Sequence, residues 1–141
     1  MKLIIHTDGG SRGNPGPAAS AFVVSDENNK VIASRGVYIG ITTNNQAEYL
    51  AVANVMVWLN QYLNRAAADS VSGVSLFLDS ELVVNQLTGK YKIKSPQLAQ
   101  IITQINIAKQ KLSVPVNFRY IPREQNKTAD QLVNQTLDPL S

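Results

Sequence analysis

The chain has 141 residues, enough for one domain with a real core, and its 44% hydrophobic content with few aromatics is that of an ordinary globular protein. The absence of cysteine excludes disulfides, thiolate metal sites and a cysteine nucleophile, and is compatible with a reducing cytosol. Thirteen basic against ten acidic side chains leave a formal charge of +3, which is compatible with a polyanionic partner and makes every carboxylate in an unusual place informative.

The predicted elements follow in chain order. Residues 2–8 and 18–25 are apolar-rich and read as strands. Residues 30–40 read as a third strand after the polar turn Asp26-Glu27-Asn28-Asn29, which suits a hairpin. Thr43 or Asn44 caps a long helix running to about Leu63 without Gly or Pro. Its apolar residues lie on nearly all sides, so it is expected to be covered on several of them. Residues 74–79 read as a short buried strand and Ser80–Leu87 as a short helix broken by Gly89. Ser95-Pro96 then starts a helix with Leu98, Ile101, Ile102, Ile105 and Leu112 on one face. Residues 116–121 form the last strand, and a final helix begins near Asn126 or Lys127. The order βββαβααβα implies an α/β fold, a mixed sheet with helices on its faces, in a single domain over residues 1–141. No apolar run approaches a membrane span, and MKLIIHTDGG turns polar after five residues, too soon for a signal peptide. A cytoplasmic location with no membrane partner is expected.

Four carboxylates stand out. Asp8 and Asp79 are each expected to end an apolar strand, where α/β folds commonly build their sites. Either alone could be turn chemistry. Glu48 falls in about the first turn of the long helix, where a glutamate also suits the helix dipole. Asp130 shares a helix face with Asn126 and Asn134, a face that could simply be solvated. Together they offer hard oxygen ligands, which suit Mg²⁺, and phosphoryl-transfer sites often hold two such ions about 3.5–4 Å apart. His6 shares a face with Asp8 but reads as a strand-core histidine.

The segments DGGSRGNPGP, TTNNQAEYLA, DSELVVNQLTGKYKIKSPQL and IPREQNKTADQLVN, in this order, resemble type 1 ribonuclease H over essentially the whole chain. The resemblance implies a ribonuclease H-like fold, a five-stranded mixed sheet flanked by helices. It implies an endoribonuclease that hydrolyses the RNA strand of RNA–DNA hybrids, leaving 5′-phosphate and 3′-hydroxyl ends. Asp8, Glu48, Asp79 and Asp130 would be both catalytic residues and ligands of two Mg²⁺ ions, with Mn²⁺ as a substitute. Asp8 would bridge the ions, Glu48 would also face the ribose 2′-hydroxyl, and Asp130 would hold the ion that activates water. Gly9, Asn14, Asn44 and Asn45 match positions that read RNA 2′-hydroxyls, and Asn14 with Thr43 matches a pocket for a DNA-strand phosphate.

The pattern also departs from the family. Many relatives carry a histidine in the loop before the last helix; here that loop is PREQNK, so Arg123 or Glu124 would substitute, while Asn126 still matches. Glu81 stands where some relatives have a glutamine that contacts RNA, and an ionised glutamate cannot donate. A long basic protrusion is reduced to Lys90, Tyr91, Lys92, Ile93 and Lys94, whose lysines and tyrosine could track a phosphate backbone. The expected enzyme is a monomer acting on RNA–DNA hybrid, with double-stranded RNA as a second candidate substrate. Two alternatives differ in class: a nuclease of the same fold with a broader substrate, and a catalytically weak hybrid-binding module. Four crowded carboxylates speak against the second, because like charges without metal destabilise a fold.

Overall fold

Short polar breaks divide the first third of the chain into strands. The computed structural model, which describes residues 1–65 and 70–140, has β1 at Lys2–Ser11, β2 at Gly16–Ser25 and β3 at Val31–Thr42. The turn between β2 and β3 is held by the Asp26 carboxylate, which accepts from the backbone N–H of Asn28 and Lys30. Helix α1 (Asn44–Leu63) follows, then β4 (Gly73–Leu78), α2 (Glu81–Leu87), α3 (Pro96–Gln110), β5 (Val116–Tyr120) and α4 (Lys127–Leu137), with single 3-10 turns at Arg123–Gln125 and Asp138–Leu140. The expected element order is the observed one.

The five strands form one sheet in the order β3-β2-β1-β4-β5. β1 pairs antiparallel with β2 and β2 with β3, while β1–β4 and β4–β5 are parallel. The sheet is therefore mixed, because tight turns join the first three strands and helices join the rest. Helix α1 buries Ala47, Tyr49, Ala51, Val52, Val55, Met56 and Leu59 against the sheet and α3, which accounts for its apolar residues on several sides. On the opposite face α4 packs Val133 and Leu137 against Ala19 and Ala21 of β2. The site described below opens between these two layers.

Several boundaries differ from the sequence reading: β2 starts at Gly16 rather than residue 18, β4 spans Gly73–Leu78 rather than residues 74–79, and β5 ends at Tyr120. β1 does not end at Asp8 but continues through Gly9, Gly10 and Ser11, which pair with Ser20, Ala19 and Ala18 of β2. The pairing of β1 with β4, by contrast, stops at His6–Phe77. Asp8 thus lies just past the point where its parallel neighbour gives out, which opens one side of β1 to a ligand. β3 likewise runs on to Thr42, two residues beyond its expected end. Glu48 falls in the second turn of α1 rather than the first, because Thr43 is the N-cap and Asn44 the first helical residue. A simple helix-dipole role for Glu48 is correspondingly weakened.

Candidate active site

Asp8 comes from β1 just past its last pairing with β4, Glu48 from α1 and Asp79 from the residue after β4. One oxygen from each carboxylate lies within 4.8 Å of the other two. Asp130, in the first turn of α4, lies outside this close group but lines the same cavity of about 500 Å³. The Ser20 hydroxyl of β2, the strand next to β1, ties α1 to the sheet by donating to Ala47 O at 2.7 Å.

The electrostatics are those of a site built for positive charge. Asp8 is only 5% exposed. Burial, then the negative charge of Asp79, pushes its carboxyl up to about 7, with Asp130 adding to the effect. Glu48 is held well above the ordinary glutamate range, first by burial and then by the charges of Asp8 and Asp79. The two carboxyls share a hydrogen bond in which Glu48 is the donor and Asp8 the acceptor, and the Gly9 N–H partly offsets the rise in both. The second Glu48 oxygen, Oε2, is buried with no hydrogen-bond partner. An orphaned carboxylate oxygen is costly in a folded protein, and a hard cation coordinated there would satisfy it. The donor set is all oxygen, so the residues fit Mg²⁺ or Mn²⁺ and do not suit a soft metal.

The residues expected to face substrate fall into three groups. Asn14 and Asn44 tie the glycine-rich loop to the start of α1: Asn14 Oδ1 accepts from the Asn44 N–H at 3.0 Å, and Asn44 Oδ1 accepts from the Ser11 N–H at 2.8 Å. Their carbonyl oxygens are thereby used, and the amide nitrogens are the ends that suit a ligand. Thr43 caps α1 by accepting from the Gln46 N–H at 3.1 Å, and Asn45 is half-buried in the first turn. Gly9 and Asn44 line the cavity. Lys90, Tyr91, Lys92 and Lys94 form a second group, exposed and away from the cavity wall. Ile93 anchors their segment against the core, and the Gln86 amide donates to Lys92 O at 3.4 Å.

Arg123 and Asn126 make the third group, and they separate. Arg123 lines the cavity, largely exposed, with its guanidinium 3.8 Å from the Asp130 carboxylate. Asn126 is 1% exposed, and its amide nitrogen donates to Thr7 O at 2.8 Å and Asp79 Oδ2 at 3.1 Å. This corrects the expectation of a substrate contact there, because a side chain so buried and so committed faces inward. His6 stacks on Phe77 with ring centroids 5.3 Å apart, and burial lowers its imidazole below the ordinary value, in keeping with a core residue.

Sequence reasoning did not single out Arg12 or Asn134, yet both line the cavity. Arg12 forms an ion pair with Asp138 at the far end of α4 and donates to Asn134 O. Nothing local in the sequence marks a contact across that separation. Asn134 did carry a signal, its shared helix face with Asp130, which was equally compatible with solvent.

Comparison with known proteins agrees with this geometry. The family model described as "Reverse transcriptase-like" matches residues 6–136. Among solved structures, LC11-RNase H1, isolated from compost by a metagenomic approach, is 41% identical, with 99% of each chain covered and a TM-score of 0.90. The same protein solved in complex with RNA/DNA hybrid superposes with a TM-score of 0.90 at 40% identity, again over 99% of each chain. The bifunctional protein Rv2228c of Mycobacterium tuberculosis is 35% identical over 98% of this chain, which spans only 36% of that relative's length. Ribonuclease HI of Halobacterium salinarum is 37% identical over 93% of this chain and 62% of its own. On the family model, the full-length structural match and the shared fold, the chain belongs to the type 1 ribonuclease H family.

Proposed function

We propose that the chain is a metal-dependent endoribonuclease that hydrolyses the RNA strand of RNA–DNA hybrids and leaves 5′-phosphate and 3′-hydroxyl ends. The observation that carries this reading is the meeting of Asp8, Glu48 and Asp79 within 4.8 Å around a buried, partnerless Glu48 oxygen, with Asp130 facing the same cavity. The binding of RNA/DNA hybrid by LC11-RNase H1 supports the substrate class. Asp8, Glu48, Asp79 and Asp130 would hold two Mg²⁺ ions, with Mn²⁺ as a substitute. Bound there, the ions supply positive charge at the scissile phosphate and acidify the attacking water.

The chain's own residues do the rest. The four carboxylates fix where that charge sits. The amide nitrogens of Asn14 and Asn44, held by their own carbonyl contacts, donate to sugar hydroxyl or phosphate oxygens in the shallow minor groove. Gly9 presents backbone at the cavity wall, and Thr43 and Asn45 extend the donor set at the start of α1. Arg123 stands in the loop where many relatives carry a histidine; its part is to offer a planar guanidinium to a phosphate at the rim beside Asp130. The reading has a single ribonuclease H-like domain over residues 1–141 working as a monomer in the cytoplasm. Among the described residues no helix is long and apolar enough to cross a membrane.

The test is incubation with labelled RNA–DNA hybrid, duplex RNA, duplex DNA and single-stranded RNA, each with Mg²⁺, Mn²⁺ or EDTA. Cleavage confined to the RNA strand of the hybrid and lost in EDTA is expected. No metal-dependent hybrid cleavage would overturn the proposal, and equal cleavage of duplex RNA would broaden the substrate. A second measurement addresses the exposed basic segment. Replacing Lys90, Lys92 and Lys94 with alanine is expected to weaken hybrid binding and to lower the slope of log K against log salt by about 2–3, since each phosphate contact contributes nearly one. An unchanged slope would remove these lysines from the interface.

A further inference from the structure

One buried residue joins three of the four carboxylate-bearing segments, two through its side chain and the third through its backbone. The Asn126 amide nitrogen donates to Thr7 O at 2.8 Å, on the residue before Asp8, and to Asp79 Oδ2 at 3.1 Å. Its backbone carbonyl accepts from the Asp130 N–H at 3.1 Å. Asn126 is the N-cap residue of α4, yet its side chain makes no capping hydrogen bond. Asparagine is favoured at that position because its side chain can satisfy the first helical N–H groups. Here it turns instead into the interior, where it is 1% exposed. The two side-chain contacts reach from the start of α4 to β1 and to the residue after β4.

We infer that Asn126 is a positioning residue that holds Asp8, Asp79 and Asp130 in register with one another. Its amide fixes which Asp79 oxygen turns away from the ligand, because Oδ2 is the atom that accepts from it. It ties the carboxylate-bearing end of α4 to β1, so that Asp130 faces the cavity from a set distance. Supporting hydrogen bonds of this kind orient ligands that cannot orient themselves, and losing one typically costs about 10–100-fold in metal affinity or activity. The reach of a single amide to two acceptors also explains why a shorter side chain would not serve. The inference deepens the proposed function and rests on the reading of the four carboxylates as the metal-dependent centre.

The experiment compares wild type with Asn126→Ala and with Asn126→Asp, which keeps the volume and removes the donor. Three quantities are read: the Asp79 side-chain carboxyl carbon resonance in the metal-free protein, Mg²⁺ binding by calorimetry, and kcat and KM on a hybrid. For Asn126→Ala the expected result is a displaced Asp79 resonance, about 10-fold or greater loss of Mg²⁺ affinity, and a similar fall in kcat with KM within about threefold. Asn126→Asp should displace the resonance and lower kcat to a similar extent. A residue that serves only stability would lower the melting temperature and leave kcat per folded molecule and Mg²⁺ affinity unchanged; that result overturns the inference. Should wild type neither bind Mg²⁺ nor cleave hybrid, the metal-dependent reading falls by itself, and an unmoved Asp79 resonance in both variants would separately overturn the contact with Asp79.

Discussion

Asp8→Asn is expected to abolish hybrid cleavage and, in the same protein, to raise the melting temperature measured in EDTA. The two effects share one cause. Asp8 is buried beside Glu48 and Asp79, and burial and the Asp79 charge raise its carboxyl to about 7. A carboxylate forced to ionise there costs the metal-free fold free energy that a cation would return. Asparagine has nearly the same shape and no charge, so it removes the repulsion together with a ligand. The loss of cleavage should reach about 10³-fold or more, the scale of several kcal/mol of lost transition-state stabilisation. The gain in melting temperature at pH 8 should be about 10–15 °C, the scale of about 4 kcal/mol in a chain of this length. Equal melting temperatures for the two proteins in EDTA at pH 8 would contradict the repulsion argument, and cleavage surviving in the variant would contradict the site.

The pH dependence follows from the same shift. Below about pH 3.8, the ordinary aspartate value, Asp8 is protonated in both the folded and the unfolded chain. Between there and about 7 the folded protein keeps a proton that the unfolded chain has lost, so the folded state binds more protons. Stability of the metal-free protein therefore falls as pH rises through this window and levels off above it. A shift of this size corresponds to about 4 kcal/mol, and the raised Glu48 acts in the same direction. Melts in EDTA should thus show wild type losing stability from pH 5 to pH 8, with the advantage of Asp8→Asn shrinking at pH 5. Added Mg²⁺ should flatten the wild-type profile, because binding to the folded state alone stabilises it.

Much of this architecture was legible in the sequence because local signals and tertiary structure agree. Asp26 makes its turn with its own side chain, Thr43 and Ser95 cap their helices, and apolar runs of the right length mark β4 and β5. What was not legible depends on partners far away in the chain. Gly9-Gly10 looks like a strand breaker, but β2 supplies an antiparallel partner that carries β1 to Ser11. Asn126 looks like an ordinary cap, and only the folded chain shows its amide turned toward Thr7 and Asp79. The carboxylates could be placed on their elements one by one. That Glu48 joins Asp8 and Asp79 within 4.8 Å depends on how closely α1 approaches β1.

That approach rests on a single missing methyl group, and Gly9→Ala is expected to be strongly damaging to both stability and cleavage. A Cβ at Gly9 would sit 2.2 Å from the Ala47 carbonyl carbon, 2.3 Å from its oxygen and 2.5 Å from the Glu48 nitrogen. All three are backbone atoms of α1, so no rotamer change relieves the overlap. The helix would have to move off β1, breaking the Ser20 hydrogen bond to Ala47 O and carrying Glu48 away from Asp8. Overpacking of a core against a rigid neighbour costs about 1–3 kcal/mol, and here the upper end applies because backbone meets backbone. A displacement of about 1 Å between reacting groups can itself cost about 100-fold in rate, so cleavage should fall by at least that much in the molecules that fold. Gly10→Ala is the matched control. A Cβ there would meet Val133 Cγ1 at 3.5 Å, an ordinary contact, and should leave both stability and cleavage within a small factor of wild type. Thermal melts and hybrid cleavage of the two variants side by side decide the matter: if Gly9→Ala behaves like Gly10→Ala, close packing of α1 on β1 is not what brings Glu48 to Asp8.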